Sequence, residues 1–556
     1  MAITKVTSSV LEDNITVAGN LDVSSGTIKL DGNYPVGTQN VGIGDNTLSS
    51  VEAGANYNTA VGNRALQDLT TGDSNTAVGR DALLVATTGF NNTATGMDAL
   101  ASNTTASNNT AIGRSSLRAN TTASNNTAVG YEALTATTTA NDNTAVGAYS
   151  GNSNTTGLAN TSLGSASFLT NSTGSYNTAL GGDALRSSTT ASNNTAVGYN
   201  SLRANTTGAS NTAVGNNALT TNTTGFNNVA IGILALEMNT TGTSNTAVGR
   251  EALEANTTAS NNTAVGLQAL QANTTGAENT AVGSGALDAN TTGSNNSAIG
   301  YAALSSNTTA SNNAANGFFA LVSNTTGAQN TASGAYCLYN LTTGNYNTGL
   351  GYLVGDNITT ATENTLIGAN AGTTITSGGR NTLVGQSTDV ADNNGYQQVF
   401  GWNVTSAGNN STTIGAGTAD SNLVNGGTTW TAPSDIRLKE DIQDEEVGLD
   451  FIKDLRPVTF LWKKEKDIPS HMKAYKEGSE ERTMNGKYNH GFIAQEVKAV
   501  IDKHNLKEGF DMWSEDSSDG RQRIGDAALM PIMVKAVQEL SAQNADLLKR
   551  IEALEG

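Results

Sequence analysis

Residues Asn126-Thr127-Ala128-Val129-Gly130-Tyr131-Glu132-Ala133-Leu134 are one copy of a unit that recurs every 17 residues along most of the chain. The glycine of this unit returns without slippage from Gly62 to Gly385, twenty times in all. An asparagine stands four residues before each of these glycines, from Asn58 to Asn381. A fixed period of this length indicates one supersecondary unit stacked many times, so the middle of the protein is expected to be a rod.

The composition of the unit predicts a coil of a parallel β-solenoid. It has only two large apolar positions, an aliphatic residue before the glycine and a leucine four residues after it, and an amphipathic helix would need more. Thr and Val favour extended backbone, whereas Asn-Thr-Thr-Gly and Asn-Asn favour turns. Each unit is therefore expected to hold two short strands, a tight corner at the glycine and a longer polar turn. Twenty coils of about 4.8 Å predict a shaft of roughly 95–100 Å.

The two invariant positions of the repeat have separate physical explanations. A corner with positive φ, or with close approach of the next coil, requires glycine. Asparagines at equivalent positions either form a ladder of side-chain amides along the axis or act as simple turn formers. The ladder is favoured because no Asp, Ser or Gly replaces the asparagine in twenty copies. Representative pairs are Asn126 and Gly130, Asn194 and Gly198, and Asn262 and Gly266.

The small apolar content of one coil suggests that several chains share a core. One Val and one Leu per coil bury little surface against the cost of ordering the backbone, so three chains are expected to bury these stripes against one another. The aliphatic-Gly step after each Asn resembles the head repeats of trimeric autotransporter adhesins over residues 58–385. That resemblance implies a homotrimeric β-roll, although the unit here is longer, which leaves handedness and chain winding open.

Composition separates the shaft from the C-terminal region. Residues 36–432 contain no proline, as uninterrupted ladders require.

The net charge of −19 argues against a nucleic-acid partner. Cys337 occupies a position that is usually Ala and is interpreted as a packed small side chain. The sequence shows no secretory signal and no apolar run that would span a bilayer, so we expect no membrane insertion, and we predict no cofactor and no metal site.

Two irregular regions flank the shaft, which is assigned to residues 46–385. In the segment 1–45, residues 15–23 and 27–30 alternate apolar and polar side chains. They resemble the strand-rich stalks of phage tail fibres, which implies attachment to a virion tail or baseplate protein; the alternative is a cap on the solenoid. In residues 386–433 the glycine spacing falls to 16 and then 14, and aromatic residues appear. Tyr396, Trp402 and Trp430 are either a receptor-binding tip that faces carbohydrate or a plug for the solenoid end.

The composition changes at Pro433-Ser434, where charged and helix-forming residues begin. Four motifs follow in order: Ser434-Asp435-Ile436-Arg437-Leu438-Lys439-Glu440-Asp441-Ile442, Leu455-Arg456-Pro457-Val458-Thr459-Phe460, Gly491-Phe492-Ile493-Ala494-Gln495-Glu496-Val497 and Asp526-Ala527-Ala528-Leu529-Met530-Pro531. Residues 434–556 with these motifs resemble the endosialidase-type intramolecular chaperone, the self-cleaving C-terminal domain of many phage tail fibres and tailspikes.

The resemblance implies a serine–lysine dyad at Ser434 and Lys439. A serine hydroxyl needs a base to become a nucleophile, and lysine serves as one only when burial lowers its pKa. The cut bond is expected to flank Ser434, among Pro433, Ser434 and Asp435, on a side that the sequence leaves open. His490 is interpreted as a structural histidine, with support of the dyad as the alternative.

The last helix carries a heptad seam. Residues 528–555 are expected to form a trimeric coiled coil, in which Asn544 sets the register. The seam consists of Met530, Met533, Val537, Leu540, Asn544, Leu547, Ile551 and Leu554.

Together these features predict a mostly β, homotrimeric phage tail fibre, assembled in the host cytoplasm and located in the virion. Its shaft is expected to bind a bacterial surface glycan or protein, and its α+β chaperone domain to direct trimerisation and then release itself by a single self-cleavage. One alternative is a purely structural spacer with receptor binding on another subunit. The other is a glycan-depolymerising tailspike, which would need paired carboxylates in a groove.

Overall fold

The computed structural model describes residues 39–425, 430–431, 436–484, 486–506, 512–515, 520–525 and 528–556. The chain divides into two compact units, Met1–Pro433 and Ser434–Gly556. Most of the N-terminal segment assigned to residues 1–45 lies outside the described residues, so its proposed attachment role stays a prediction.

The first unit is a parallel β-solenoid with one strand in each 17-residue coil, which confirms the fold expected from the repeat. Strands β1 to β23 run parallel, and each pairs with the next. From β2 to β21 the paired residues are one 17-residue repeat apart, as in Thr195↔Thr212. The strands are Val41–Ile43 (β1), Thr59–Val61 (β2), Thr76–Val78 (β3), Thr93–Thr95 (β4), Thr110–Ile112 (β5), Thr127–Val129 (β6), Thr144–Val146 (β7), Thr161–Leu163 (β8), Thr178–Leu180 (β9), Thr195–Val197 (β10), Thr212–Val214 (β11), Val229–Ile231 (β12), Thr246–Val248 (β13), Thr263–Val265 (β14), Thr280–Val282 (β15), Ser297–Ile299 (β16), Ala314–Asn316 (β17), Thr331–Ser333 (β18), Thr348–Leu350 (β19), Thr365–Ile367 (β20), Thr382–Val384 (β21), Gln398–Trp402 (β22), Ser411–Ala416 (β23) and Ala419–Val424 (β24).

The expectation of two strands per coil is wrong. The leucine of each unit lies in a turn with left-handed backbone rather than in a second strand; Leu202, for example, has a φ of 51°. Its backbone N–H still donates to the carbonyl of Ala218 in the next coil, at 3.0 Å. Hydrogen bonds between coils therefore satisfy this turn without regular strand geometry, which composition alone does not reveal.

The interior of the solenoid is formed by alanine and leucine within a single chain. In β10, Ala196 points inward and is fully buried, as is Leu202, whereas the flanking strand residues Thr195 and Val197 face outward. The expectation that the leucine stripe is buried only between chains is therefore wrong. The residues before the glycines form an outward column, and several of its aliphatic side chains, such as Leu163 and Ile299, remain 36–49% exposed.

The asparagine ladder is present. Asn194 Nδ2 donates to Asn177 Oδ1 (3.2 Å) and to the carbonyl of Gly208 (3.0 Å), while the backbone N–H of Asn211 donates to Asn194 Oδ1 (2.9 Å). A second ladder, which the repeat pattern did not predict, lies in the Asn-Thr-Thr-Gly turn, where Asn222 Nδ2 donates to Asn205 Oδ1 at 2.9 Å. Both rows are buried, and most of their amides hydrogen bond to a neighbour one coil away, with Asn120 Oδ1 and Asn324 Oδ1 as exceptions that have no partner.

The invariant glycine meets both conditions expected of it. Gly198 has a φ of 129°, a conformation that side-chain-bearing residues rarely adopt. A Cβ added at Gly198 would lie 2.4 Å from the carbonyl oxygen of Gly215. Positive φ and close backbone approach therefore act together at this corner.

The second unit is a small α+β domain. Its elements are a 3₁₀ turn at Ile436–Leu438, α1 (Leu449–Asp454), β25 (Val458–Phe460), a 3₁₀ turn at Glu465–Asp467, β26 (Asn489–Gly491), α2 (Ala494–Lys503), β27 (Trp513–Glu515), β28 (Gln522–Ile524) and α3 (Leu529–Glu555). β25 pairs with β26 and β27 with β28, both antiparallel. Its core consists of Phe451, Leu455, Val497, Ile501, Met512 and Ile532.

Candidate auto-processing and receptor-binding sites

Two of the C-terminal motifs are joined into one structural element. Val458 of β25 pairs with Gly491 of β26, which places the Leu455–Phe460 motif against the Gly491–Val497 motif. Arg456 Nε donates to Glu496 Oε2 at 2.9 Å, and this hydrogen bond holds the pKa of Glu496 below its usual range. The motifs that carry the family resemblance are therefore packing and pairing elements as well as sequence markers.

Of the two residues of the predicted dyad, the structure describes only Lys439. Pro433, Ser434 and Asp435 lie outside the described residues, so the contact between Ser434 and Lys439 stays a prediction. Lys439 follows the first 3₁₀ turn, its backbone N–H donates to the carbonyl of Ile436 (3.3 Å), and its side chain is exposed in this single chain. The described residues leave this side chain exposed, whereas a lysine serves as a base only after desolvation.

His490 lies on β26, where it is exposed and pairs with Thr459 of β25. The Thr459 hydroxyl and His490 Nδ1 are 3.2 Å apart. This cross-strand contact is consistent with a structural histidine.

Helix α3 has one face packed on its own domain and another that is open. Ile532 and Ala536 are buried, and Glu539 Oε2 accepts a hydrogen bond from the backbone N–H of Leu449 at the start of α1 (2.8 Å). The predicted seam lies on the remaining surface and is exposed within the single chain. Its members are Met530, Met533, Val537, Leu540, Asn544, Leu547, Ile551 and Leu554.

The parallel stacking ends in residues 386–431. β22 and β23 continue the parallel sheet, and β24 then pairs antiparallel with β23. Tyr396 contacts Arg380, whose guanidinium lies 5.3 Å from the ring centroid. Trp402 and Trp430 are 57% and 48% exposed, while Val399 and Val404 fill the interior. The tryptophans therefore do not plug the solenoid end. No ring contact links Tyr396, Trp402 and Trp430 in the described part of the chain.

Within the described ranges, no cluster of three or more His, Cys, Asp or Glu side chains could hold a metal ion. Among the same described residues, no helix is long and apolar enough to cross a bilayer.

Comparison with known proteins supports the C-terminal assignment. Residues 434–506 match the family model described as chaperone of endosialidase. No curated protein and no solved structure matches the chain significantly. A chaperone-of-endosialidase domain that follows a long β-solenoid of 17-residue repeats fits a fibre with a C-terminal chaperone, and these features suggest a protein of the phage tail fibre or tailspike kind.

Proposed function

We propose that the chain is a homotrimeric phage tail fibre whose C-terminal domain aligns three chains, supports winding of the shaft and then cleaves itself off at Ser434. The observation that carries this proposal is the family match over residues 434–506, directly after a solenoid that ends near residue 424. The fibre is held in the virion tail through its N-terminal region, and its distal surfaces bind a bacterial surface glycan or protein.

The exposed seam of α3 supports trimerisation. Its apolar residues alternate in steps of three and four over the helix, and they lie apart from Ile532 and Ala536, which pack on the domain itself. An apolar seam of this period is buried when helices supercoil around one another. Three α3 helices therefore hold the C-termini of the three chains together and align their shafts.

The outward aliphatic column of the shaft gives a second contact between chains. Twenty residues precede the repeating glycines, and seventeen of them are Val, Ile or Leu, with Thr95, Asn316 and Ser333 as the exceptions. Contacts along this column bury apolar surface that a single chain leaves in water.

The exposed Lys439 explains why cleavage would follow assembly. In one chain its side chain is exposed to water. Cover from a neighbouring chain desolvates the ammonium group, which favours the neutral amine that can act as a base for Ser434. Cleavage therefore occurs only after three chains have assembled. Removal of the chaperone then leaves the shaft kinetically trapped, because it can no longer refold after unfolding.

The test is intact and native mass measurement of freshly expressed wild type, Ser434→Ala and Lys439→Ala, with Lys453→Ala as the control for loss of a lysine in the same domain. We expect wild type and Lys453→Ala to be cut beside Ser434, with a trimeric shaft, and the two dyad variants to stay full length. Full-length wild type would overturn self-cleavage. A monomeric shaft would overturn the trimer.

A glycan-degrading tailspike is a second candidate because of one pair of carboxylates. Glu237 and Glu254 occupy equivalent positions in adjacent coils. Partial burial, and secondly the charge of Glu254, raise the pKa of Glu237, as in acid–nucleophile pairs of glycosidases. Release of reducing ends from host polysaccharide by wild type but not by Glu237→Gln would support this candidate; no release by wild type would exclude it.

A spacer without receptor binding is supported if wild-type trimers bind no bacterial cells.

A further inference from the structure

We infer that the flank of the shaft between residues 301 and 352 is a binding surface for a neutral polysaccharide. The proposal deepens the host-binding role above and rests on it. It places the carbohydrate contact on the side of the solenoid rather than at the tip residues Tyr396, Trp402 and Trp430.

Six aromatic side chains from four consecutive coils form one connected cluster, which we call the flank cluster. Tyr301 and Phe318 stack with ring centroids 5.5 Å apart and planes 18° from parallel. Phe318 and Tyr336 meet edge to face at 5.5 Å, and Tyr336 in turn contacts Tyr352 at 6.3 Å. The cluster consists of Tyr301, Phe318, Phe319, Tyr336, Tyr339 and Tyr352.

The flank cluster presents rings to solvent. Tyr301, Phe318 and Tyr352 remain exposed, whereas Phe319, Tyr336 and Tyr339 are half-buried beneath and beside them. Tyr301 and Tyr352 belong to coils three repeats apart, so the row extends about 14 Å along the axis. Contiguous exposed apolar surface on a soluble protein marks an interaction site. A row of this length matches a short run of sugar rings lying along the shaft.

The charge pattern selects the class of ligand. Residues 289–355 contain no Asp, Glu, Lys, Arg or His. The surface therefore has no charged side chain that could pair with an anionic or a cationic ligand. Its tyrosine and phenylalanine rings offer apolar faces, and the phenolic hydroxyls and the surrounding Asn, Ser and Thr offer neutral hydrogen-bonding groups. A sugar presents the same combination of apolar C–H faces and hydroxyl groups.

The two middle coils of the flank cluster interrupt the outward aliphatic column. Asn316 of β17 and Ser333 of β18 are the two successive polar residues in a column that is otherwise almost entirely Val, Ile and Leu. The apolar contact proposed between chains is therefore weakest in these coils. The amide of Asn316 lies two residues before Phe318, and the hydroxyl of Ser333 lies three residues before Tyr336, where they can orient a polar ligand.

The experiment measures binding of the full protein to an array of neutral bacterial polysaccharides, with polysialic acid as the anionic probe. The test variant is Phe318→Ala with Tyr352→Ala, which removes exposed rings and leaves the half-buried ones. The matched control is Tyr131→Ala with Tyr149→Ala, another ring pair on the shaft, with centroids 5.2 Å apart. Sedimentation checks that the oligomeric state is unchanged.

We expect wild type to bind at least one neutral polysaccharide, the flank variant to lose 10-fold or more in affinity, and the control pair to bind as wild type does. Equal binding by the flank variant, no neutral ligand for wild type, or preference for polysialic acid would overturn the proposal. A changed oligomeric state in the flank variant would also overturn it, because the rings would then be a contact between chains.

Binding to bacterial cells separates this proposal from the fibre function. If wild type and the flank variant adsorb equally to a strain, the flank site is wrong and host binding stands. If wild type adsorbs to no strain and yet binds a neutral polysaccharide through these rings, host binding as proposed is wrong and the flank site stands.

Discussion

Arg456 and Glu496, which lie forty residues apart in sequence, form a two-point ion pair that joins the strand β25 region to the start of helix α2. Glu496 is one of several carboxylates in the second unit whose pKa values lie below their usual range. Hydrogen bonds from Lys503, and then from His504, lower the pKa of Asp454, and those from Lys464 and Lys466 hold the pKa of Glu480 at about 2.

These shifts predict acid lability of the C-terminal unit. A carboxylate whose folded pKa is lowered stabilises the fold fully above its unfolded pKa, about 4.3 for Glu, and this contribution is lost as pH falls through the folded value. We therefore expect Tm to fall from about pH 4.5 downward. Glu496→Gln should lower Tm at pH 7 and flatten this dependence, whereas Glu552→Gln should leave both unchanged. The measurement is Tm from thermal unfolding, monitored by near-ultraviolet circular dichroism from pH 2.5 to 7. If the Tm of Glu496→Gln falls with pH as steeply as that of wild type, the prediction is wrong.

Removing one step of the asparagine ladder should open the shaft locally. Asn194→Ala leaves the backbone N–H of Asn211 without its acceptor, and it removes one of the two donors to the carbonyl of Gly208, which keeps Asn205 Nδ2. One buried orphaned group costs about 1–3 kcal/mol, so we expect a destabilisation of that order. Hydrogen exchange of the full protein should show faster exchange in the neighbouring coils. The exposed Thr190→Ala is the control, and protection equal to wild type in Asn194→Ala would rule the ladder out as a source of stability.

The corner glycine gives a prediction that separates steric contact from positive φ. Gly198→Ala places a Cβ against the carbonyl of Gly215, whereas Gly408 has the same φ of 129° and nothing within 4 Å of an added Cβ. Gly198→Ala is expected to reduce the yield of soluble protein severely, and Gly408→Ala, which adds backbone strain alone, to reduce it far less. Soluble yield and protease resistance of the shaft measure the difference. Comparable loss in both variants would mean that positive φ, not close approach, demands glycine.

The repeat made the solenoid, its register and its amide ladder predictable, because Asn194 and Gly198 each recur in every coil. Two features were not predictable. Leu202 sits in a left-handed turn that hydrogen bonds to the next coil support, and sequence patterns do not reveal such turns. Ala196 is the main inward residue of its strand, although its small side chain carries little hydrophobic signal. For the candidate site, the motifs indicated the chaperone, but the pairing of Arg456 with Glu496 needs three-dimensional proximity that no spacing rule provides.

Cys337 should be inert in the folded shaft. It is fully buried, and burial raises the pKa of its thiol to about 12. The thiolate is the reactive form, so at pH 8 only roughly one molecule in 10⁴ is ionised. Iodoacetamide is expected to leave the native protein unmodified for hours and to label it fully in guanidinium chloride. Stoichiometric labelling under native conditions would show that this part of the shaft opens.

The heptad seam predicts that oligomerisation depends on one face of α3. Leu547→Arg places a charge in the centre of the proposed three-helix contact, where partners would desolvate it. Lys549→Ala alters an exposed residue on the same helical turn outside the seam. We expect Leu547→Arg to yield monomers that are neither trimeric by native mass spectrometry nor cut beside Ser434, because Lys439 then lacks its cover. Lys549→Ala should assemble and cleave normally. Cleavage in a monomeric Leu547→Arg protein would separate the two events, since it would show that one chain alone can activate the lysine.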